Sequence, residues 1–218
     1  MGLSWPFGSK RKKNATMSDI YNMSHMVSKK LDSLFRQVES SNKAFEADYA
    51  KAILAYKRFD FDNSYPLAVL SVKDMLKCSS RYITRLSDLY HLSMSSGSKP
   101  FGSHEVFIHL FEPIRNMTKG MVLAISCVAM MHEAGRKGAF KELSAVAKGY
   151  SGLVATLIRF DGKFGEGDRA EDKKKMKQFL DILKKDSKEL LTLAEKASGK
   201  NGLKREDLDS AAVVNREW

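Results

Sequence analysis

The sequence predicts an all-α protein. Apolar residues recur at alternating steps of three and four, only four prolines interrupt 218 residues, and the period-two alternation of a half-buried strand is absent. The expected architecture is long antiparallel helices in an elongated bundle or coiled-coil-like body. It divides into a basic-aromatic N-terminal segment at 1–16, a helical domain at 17–198 and a tail at 199–218.

Residues 17–60 read as one helix. Val27, Leu31, Leu34, Val38, Ser41, Phe45, Tyr49, Ala52, Tyr56 and Phe59 form a seam suited to packing along another helix. Such a helix would be about 66 Å long at a rise of ~1.5 Å per residue. The Asp60–Pro66 stretch should turn the chain, with Asn63 or Ser64 as cap and Pro66 in the next helix's first turn. The second helix, to about Ser93, carries a seam from Ala68 through Val72, Met75, Ser79, Tyr82 and Leu86 to Leu89. A neighbouring row (Val69, Leu76, Ile83, Tyr90) widens its apolar face enough to touch two helices.

Residues 94–103 are loop-like. The third helix runs from Phe107 through Leu110, Ile114, Met117, Met121, Ala124 and Val128 to Met131, with Pro113 expected to kink or split it. Phe111, Thr118, Ile125 and His132 add a parallel row, which predicts the most buried helix. Gly135–Gly138 should break the chain before a fourth helix bearing Phe140, Leu143, Ala147, Tyr150, Val154 and Leu157. The glycine-rich stretch 161–168 should end it. A fifth helix over 171–198 is seamed by Met176, Phe179, Leu183, Leu190, Leu193 and Ala197, and the tail holds at most a short helix.

Nothing in these patterns assembles an active site. His132-Glu133 lacks a second histidine, since position 136 is Arg. Asp60-x-Asp62-x-Ser64 opens like a calcium loop but has Tyr65 where glycine is needed and Ser71 where glutamate is needed. Gly162, Gly165 and Gly167 have neither phosphate-loop nor dinucleotide spacing. Cys78 and Cys127 fall within helical patterns and read as reduced, buried thiols. The expectation is a protein without enzymatic activity, metal or cofactor.

The charge points to an anionic partner. The net charge is +11, and residues 1–16 contribute four cations and no acid. Leu3, Trp5 and Phe7 precede Lys10, Arg11, Lys12 and Lys13: apolar groups able to enter a headgroup layer, followed by cations worth roughly 1 kcal/mol each near anionic lipid. Packing of Trp5 and Phe7 on the body, or nuclear import through the basic run, are the competing readings. Gly2 invites myristoylation, but Pro6 stands where Ser or Thr is wanted. On the second helix Lys73, Lys77, Arg81 and Arg85 form a stripe opposed only by Asp74 and Asp88. The fifth helix interleaves its lysines with acids, as in Glu171–Lys175 and Asp181–Lys185, and reads as a solvated face.

Size, helix length, seams and basic excess together resemble the BAR-domain superfamily over residues 17–198, with residues 1–16 as an added insertion segment. The resemblance implies a dimeric, curvature-sensing, membrane-binding scaffold; the loop at 94–103 and the break at 135–138 depart from that family's layout. The expected function is a peripheral membrane-binding scaffold, cytoplasmic because no secretory h-region or ~20-residue apolar span is visible. The partners would be an anionic lipid surface and a second copy of the chain. The alternative is an adaptor whose methionine-rich third helix grips a partner helix. Nucleic acid fits less well, because the basic segments lack interleaved aromatics.

Overall fold

The computed structural model describes residues 17–95, 103–164, 169–198 and 202–216, which form six helices and no strand. These are α1 (Met17–Lys57), α2 (Phe61–Ser95), α3 (Ser103–Met130), α4 (Glu133–Phe164), α5 (Ala170–Ser198) and the short α6 (Arg205–Asp209). The all-α expectation holds. The seams lie where the periodicity puts them: Leu34, Val38, Phe45 and Ala52 of α1, and the whole Ala68–Leu89 seam of α2, are buried.

Specific contacts fix the helix directions. Ser41 meets Cys78 and Ala52 meets Ser64, so α1 and α2 are antiparallel. Cys127 of α3 donates to Ser64, and Thr118 of α3 meets Tyr150 of α4 at 2.7 Å. Phe35 packs on His109 and Asn116 donates to Asn42, so α1 and α3 run the same way. Tyr65 donates to the carbonyl of Ala139, and a side chain at Gly149 would lie 2.6 Å from Leu76, so α2 and α4 are parallel neighbours.

At the α1–α2 turn, Asp60 N–H bonds to Ala55 C=O and Phe59 N–H to Tyr56 C=O, which closes α1 with a Schellman motif. Phe59 occupies its left-handed position at φ 63°. Phe59 therefore leaves the α1 seam and stands 83% exposed, contrary to the periodicity. The cap of α2 also differs from expectation. Asp60, three residues before Asn63, accepts from its backbone N–H at 3.3 Å and its side-chain amide at 2.8 Å. Pro66 thus lies inside α2, beyond its first turn. The bond it cannot make would go to the carbonyl of exposed Asp62.

Two other boundaries move. Pro113 does not split α3, and the break before α4 falls at Met131–His132, leaving Gly135–Gly138 inside α4. Gly135 serves packing instead: a Cβ there would lie 3.3 Å from Asp62 Oδ1 and 3.5 Å from Met131. Helix α4 also continues through Asp161 and Gly162 to Phe164.

Helix α3 is the centre, as its double row predicts. Leu110, Ile114, Met117, Met121, Ala124, Ile125 and Val128 are all fully buried. Two members of the second row are not: His132 is exposed at the helix break, and Phe111 is 37% exposed against Phe179 of α5. At Gly120 three helices converge, because a Cβ there would collide with Val72 of α2 and press on the ring of Phe45 of α1. Several polar groups inside are matched, although Ser79 Oγ on the α2 seam is buried without a hydrogen-bond partner among the described residues. Tyr150 meets Thr118, which donates to Ile114 C=O, and Cys127 donates to Ser64, which donates to Ala52 C=O. Burial pushes the Cys127 thiol up to about 11, so it is protonated near neutrality.

The C-terminal residues fold back onto the bundle. Leu203, Leu208, Ala211 and Val213 join the same core. Glu189 of α5 accepts from the backbone N–H groups of Ala212 and Val213 at 3.0 and 2.8 Å. Arg216 donates twice to the fully buried Asp186, at 2.9 and 2.6 Å.

Gly120→Ala is expected to destabilise by about 1–3 kcal/mol, overpacking outweighing the ~1 kcal/mol that alanine gains in helix propensity. Gly152→Ala, where a Cβ meets nothing within 4 Å, should stabilise by up to ~1 kcal/mol; urea unfolding followed by circular dichroism checks both.

A second prediction concerns pH. Burial raises the Asp186 carboxyl above its ordinary range, opposed by the bonds and charge of Arg216 and reinforced by Glu189. A carboxyl with a raised folded-state pKa binds more protons when folded. Its stabilising contribution is full below the unfolded value and lost as pH rises through the folded one. Arg216→Ala raises the folded value further, so it should cost about 3–5 kcal/mol near pH 7 and measurably less near pH 4, read from urea midpoints at each pH.

Candidate functional site

Helices α2 and α4 run in the same direction with a groove of about 600 Å³ between them. Lys73, Lys77, Leu76 and Ser80 line it from α2; Gly138, Lys141, Glu142, Ala145 and Val146 line it from α4. The floor is apolar: Val146 is buried and Leu76 half-buried against the core. Small residues on α4 shape it. Gly149 lets Leu76 approach, and Gly138 faces open space.

The rim is basic. Glu142, its one acid, is held by two partners: Oε1 accepts from Lys73 Nζ at 2.8 Å and Oε2 from Tyr65 O–H at 3.4 Å. Lys77 and Lys141 are exposed and have no carboxylate within ion-pair distance among the described residues. Arg81 follows Lys77 by four residues on α2 and Lys148 follows Lys141 by seven on α4, so each is exposed on the same side of its helix as the lysine before it. No acid occurs between Asp74 and Asp88 on α2, or between Glu142 and Asp161 on α4. Leu70, 54% exposed, stands seven residues before Lys77 on that side of α2.

The four-cation stripe of α2 is thus divided. Lys77 and Arg81 present free charge, Lys73 is tied across the groove to Glu142, and Arg85 turns toward Asp88 at 3.0 Å, both half-buried. Arg85 therefore belongs to a local pair and not to the open face. Leu3, Trp5, Phe7, Lys10, Arg11, Lys12 and Lys13 lie outside the described residues. The sequence reading missed Lys141 and Lys148. For Lys148 the signal was the acid-free stretch 143–160 of α4, whose meaning depends on α4 lying beside α2; Lys141, next to Glu142, carried none.

Helix α3 offers no methionine groove, since Met117 and Met121 are wholly buried and Met131 nearly so. On α5 the Glu171–Lys175 pair forms at 3.1 Å on exposed side chains. Among the described residues no group of three or more His, Cys, Asp or Glu side chains is placed to hold a metal ion, and no helix is long and apolar enough to cross a membrane. No family model matches this sequence, and neither a curated protein nor a solved structure matches it.

Proposed function

We propose that the chain is a peripheral membrane-binding protein that acts by binding and not by catalysis, with the α2–α4 face laid on an anionic bilayer. The observation that carries this reading is the exposure of Lys77, Arg81, Lys141 and Lys148 on the neighbouring helices α2 and α4, where the nearby acids are Asp74, three residues before Lys77, and Glu142, paired with Lys73. Each cation held near an anionic leaflet is worth roughly 1 kcal/mol, so four supply about 4 kcal/mol before any apolar contribution. Exposed Leu70 adds a side chain able to enter the headgroup boundary. The Leu3, Trp5, Phe7 and Lys10–Lys13 tract would add a second, insertable contact. Two linked contacts on one surface bind more tightly than either alone.

The test reverses charge outside the groove. Arg81→Glu with Lys148→Glu touches two exposed positions, so helicity and unfolding midpoint should stay near wild type. Co-sedimentation with vesicles containing phosphatidylserine should fall at least tenfold in affinity, and wild-type binding should weaken steeply with salt. Neutral phosphatidylcholine vesicles should bind both proteins equally weakly. Wild-type affinity in the double variant would remove the α2–α4 face from the account.

A further inference from the structure

From the groove we infer a binding site for the headgroup of a single phosphorylated lipid, one bearing a phosphomonoester. This rests on the membrane-binding reading and adds a stoichiometric pocket to a diffuse basic surface. Three features lead to it.

The first is charge count. Glu142 is committed to Lys73 and Tyr65, which leaves the ammonium groups of Lys77 and Lys141 on opposite walls of the groove. A phosphomonoester carries about −1.5 to −2 charges and three acceptor oxygens, and so can engage both lysines at once. A phosphatidylserine headgroup, with its own ammonium group, has a net charge that matches only one.

The second feature is shape. A groove of about 600 Å³ falls within the ~300–1,000 Å³ of small-molecule sites and is far larger than one phosphate needs. Its lining runs past Leu76 to Ser80 on α2 and back to Gly138 on α4, and it is broadly open to solvent. Leu76, Ala145 and Val146 give it an apolar floor. A free phosphate would leave that floor uncovered, whereas the ring and glycerol of a lipid headgroup would lie on it.

The third is position. The groove opens on the face that bears Arg81, Lys148 and exposed Leu70, so a headgroup could be engaged without leaving its bilayer. Glu142 sets the polarity of the site. It repels an anion from the Tyr65 end and directs it toward Lys77 and Lys141.

The experiment is isothermal titration of the full chain with dioctanoyl phosphatidylinositol 4-phosphate, dioctanoyl phosphatidylserine and inorganic phosphate. The phosphoinositide should bind one to one, at least tenfold more tightly than either of the others. Ala145→Phe fills the groove at an exposed helix position without changing charge, and Ser80→Tyr fills it from the opposite wall. Each should lose phosphoinositide binding by tenfold or more while binding phosphatidylserine vesicles within twofold of wild type. Glu142→Gln should bind the phosphoinositide several-fold more tightly. Unchanged titration in both filled variants, or inorganic phosphate binding as tightly as the lipid, would overturn the inference. The two readings fail separately: loss of this selectivity with vesicle binding intact removes the pocket alone, whereas one-to-one lipid binding without vesicle binding removes the surface and keeps the pocket.

Discussion

The arrangement depends on α3 lying at the centre, fully buried along its Leu110–Val128 seam, with Glu112 exposed and Arg115, Lys119 and Val122 half-buried on its outer side. Helices α1, α2, α4 and α5 all contact it, and they can close around it because position 120 has no side chain. There Val72 and Phe45 occupy the space a Cβ would fill. With α3 at the centre, α2 and α4 each run antiparallel to it, and so run parallel to one another. Helices joined by a short turn pack as hairpins, but α2 and α4 are separated by the whole of α3 and meet only through their flanks. Tyr65 against Ala139 and Leu76 against Gly149 tie the flanks together. Beside these contacts, from Lys73 to Ser80 on α2 and from Gly138 to Val146 on α4, the groove remains open.

The parallel relation also explains how modest charge becomes a surface. On α2 alone, Lys77 and Arg81 are two cations on a helix that also bears Asp74 and Asp88. Placed beside α4, they gain exposed Lys141 and Lys148 on the neighbouring helix, roughly two turns nearer the helix N-termini in the register set by Leu76 and Gly149. Helix α5 carries more lysines, and its acids are divided: Glu171 pairs with Lys175, whereas Asp186 and Glu189 turn to Arg216 and to the 212–213 backbone.

Much of the fold is legible in the sequence because burial is periodic. The α2 seam and the α3 seam from Leu110 to Val128 reappear residue for residue as buried positions. Chain ends of helices are less legible, because their signals are local and tertiary contacts can override them. Gly135 and Gly138 look like a break, yet a glycine inside a helix costs only about 1 kcal/mol, and Gly135 packs closely on Asp62 and Met131 while Gly138 faces open space. Phe59 continues the seam numerically, but its backbone closes α1 in the left-handed conformation and turns the ring to solvent. Asp186 occupies the interval left between Leu183 and Leu190, and the partner that makes its burial tolerable is thirty residues away at Arg216. Of the candidate site, the sequence yields the half on α2. The half on α4 requires knowing which helices are neighbours, and no spacing within either helix carries that information.

The most direct measurement of the central claim, that the α2–α4 face is the one that meets an anionic bilayer, is a lysine-acetylation footprint of the wild-type chain read by mass spectrometry. The chain would be treated with and without phosphatidylserine-containing vesicles. Lys77, Lys141 and Lys148 should be protected several-fold by the vesicles, while Lys174 and Lys184, exposed on α5, should react as they do in buffer. Equal protection of both groups, or protection of the α5 lysines alone, would contradict the account.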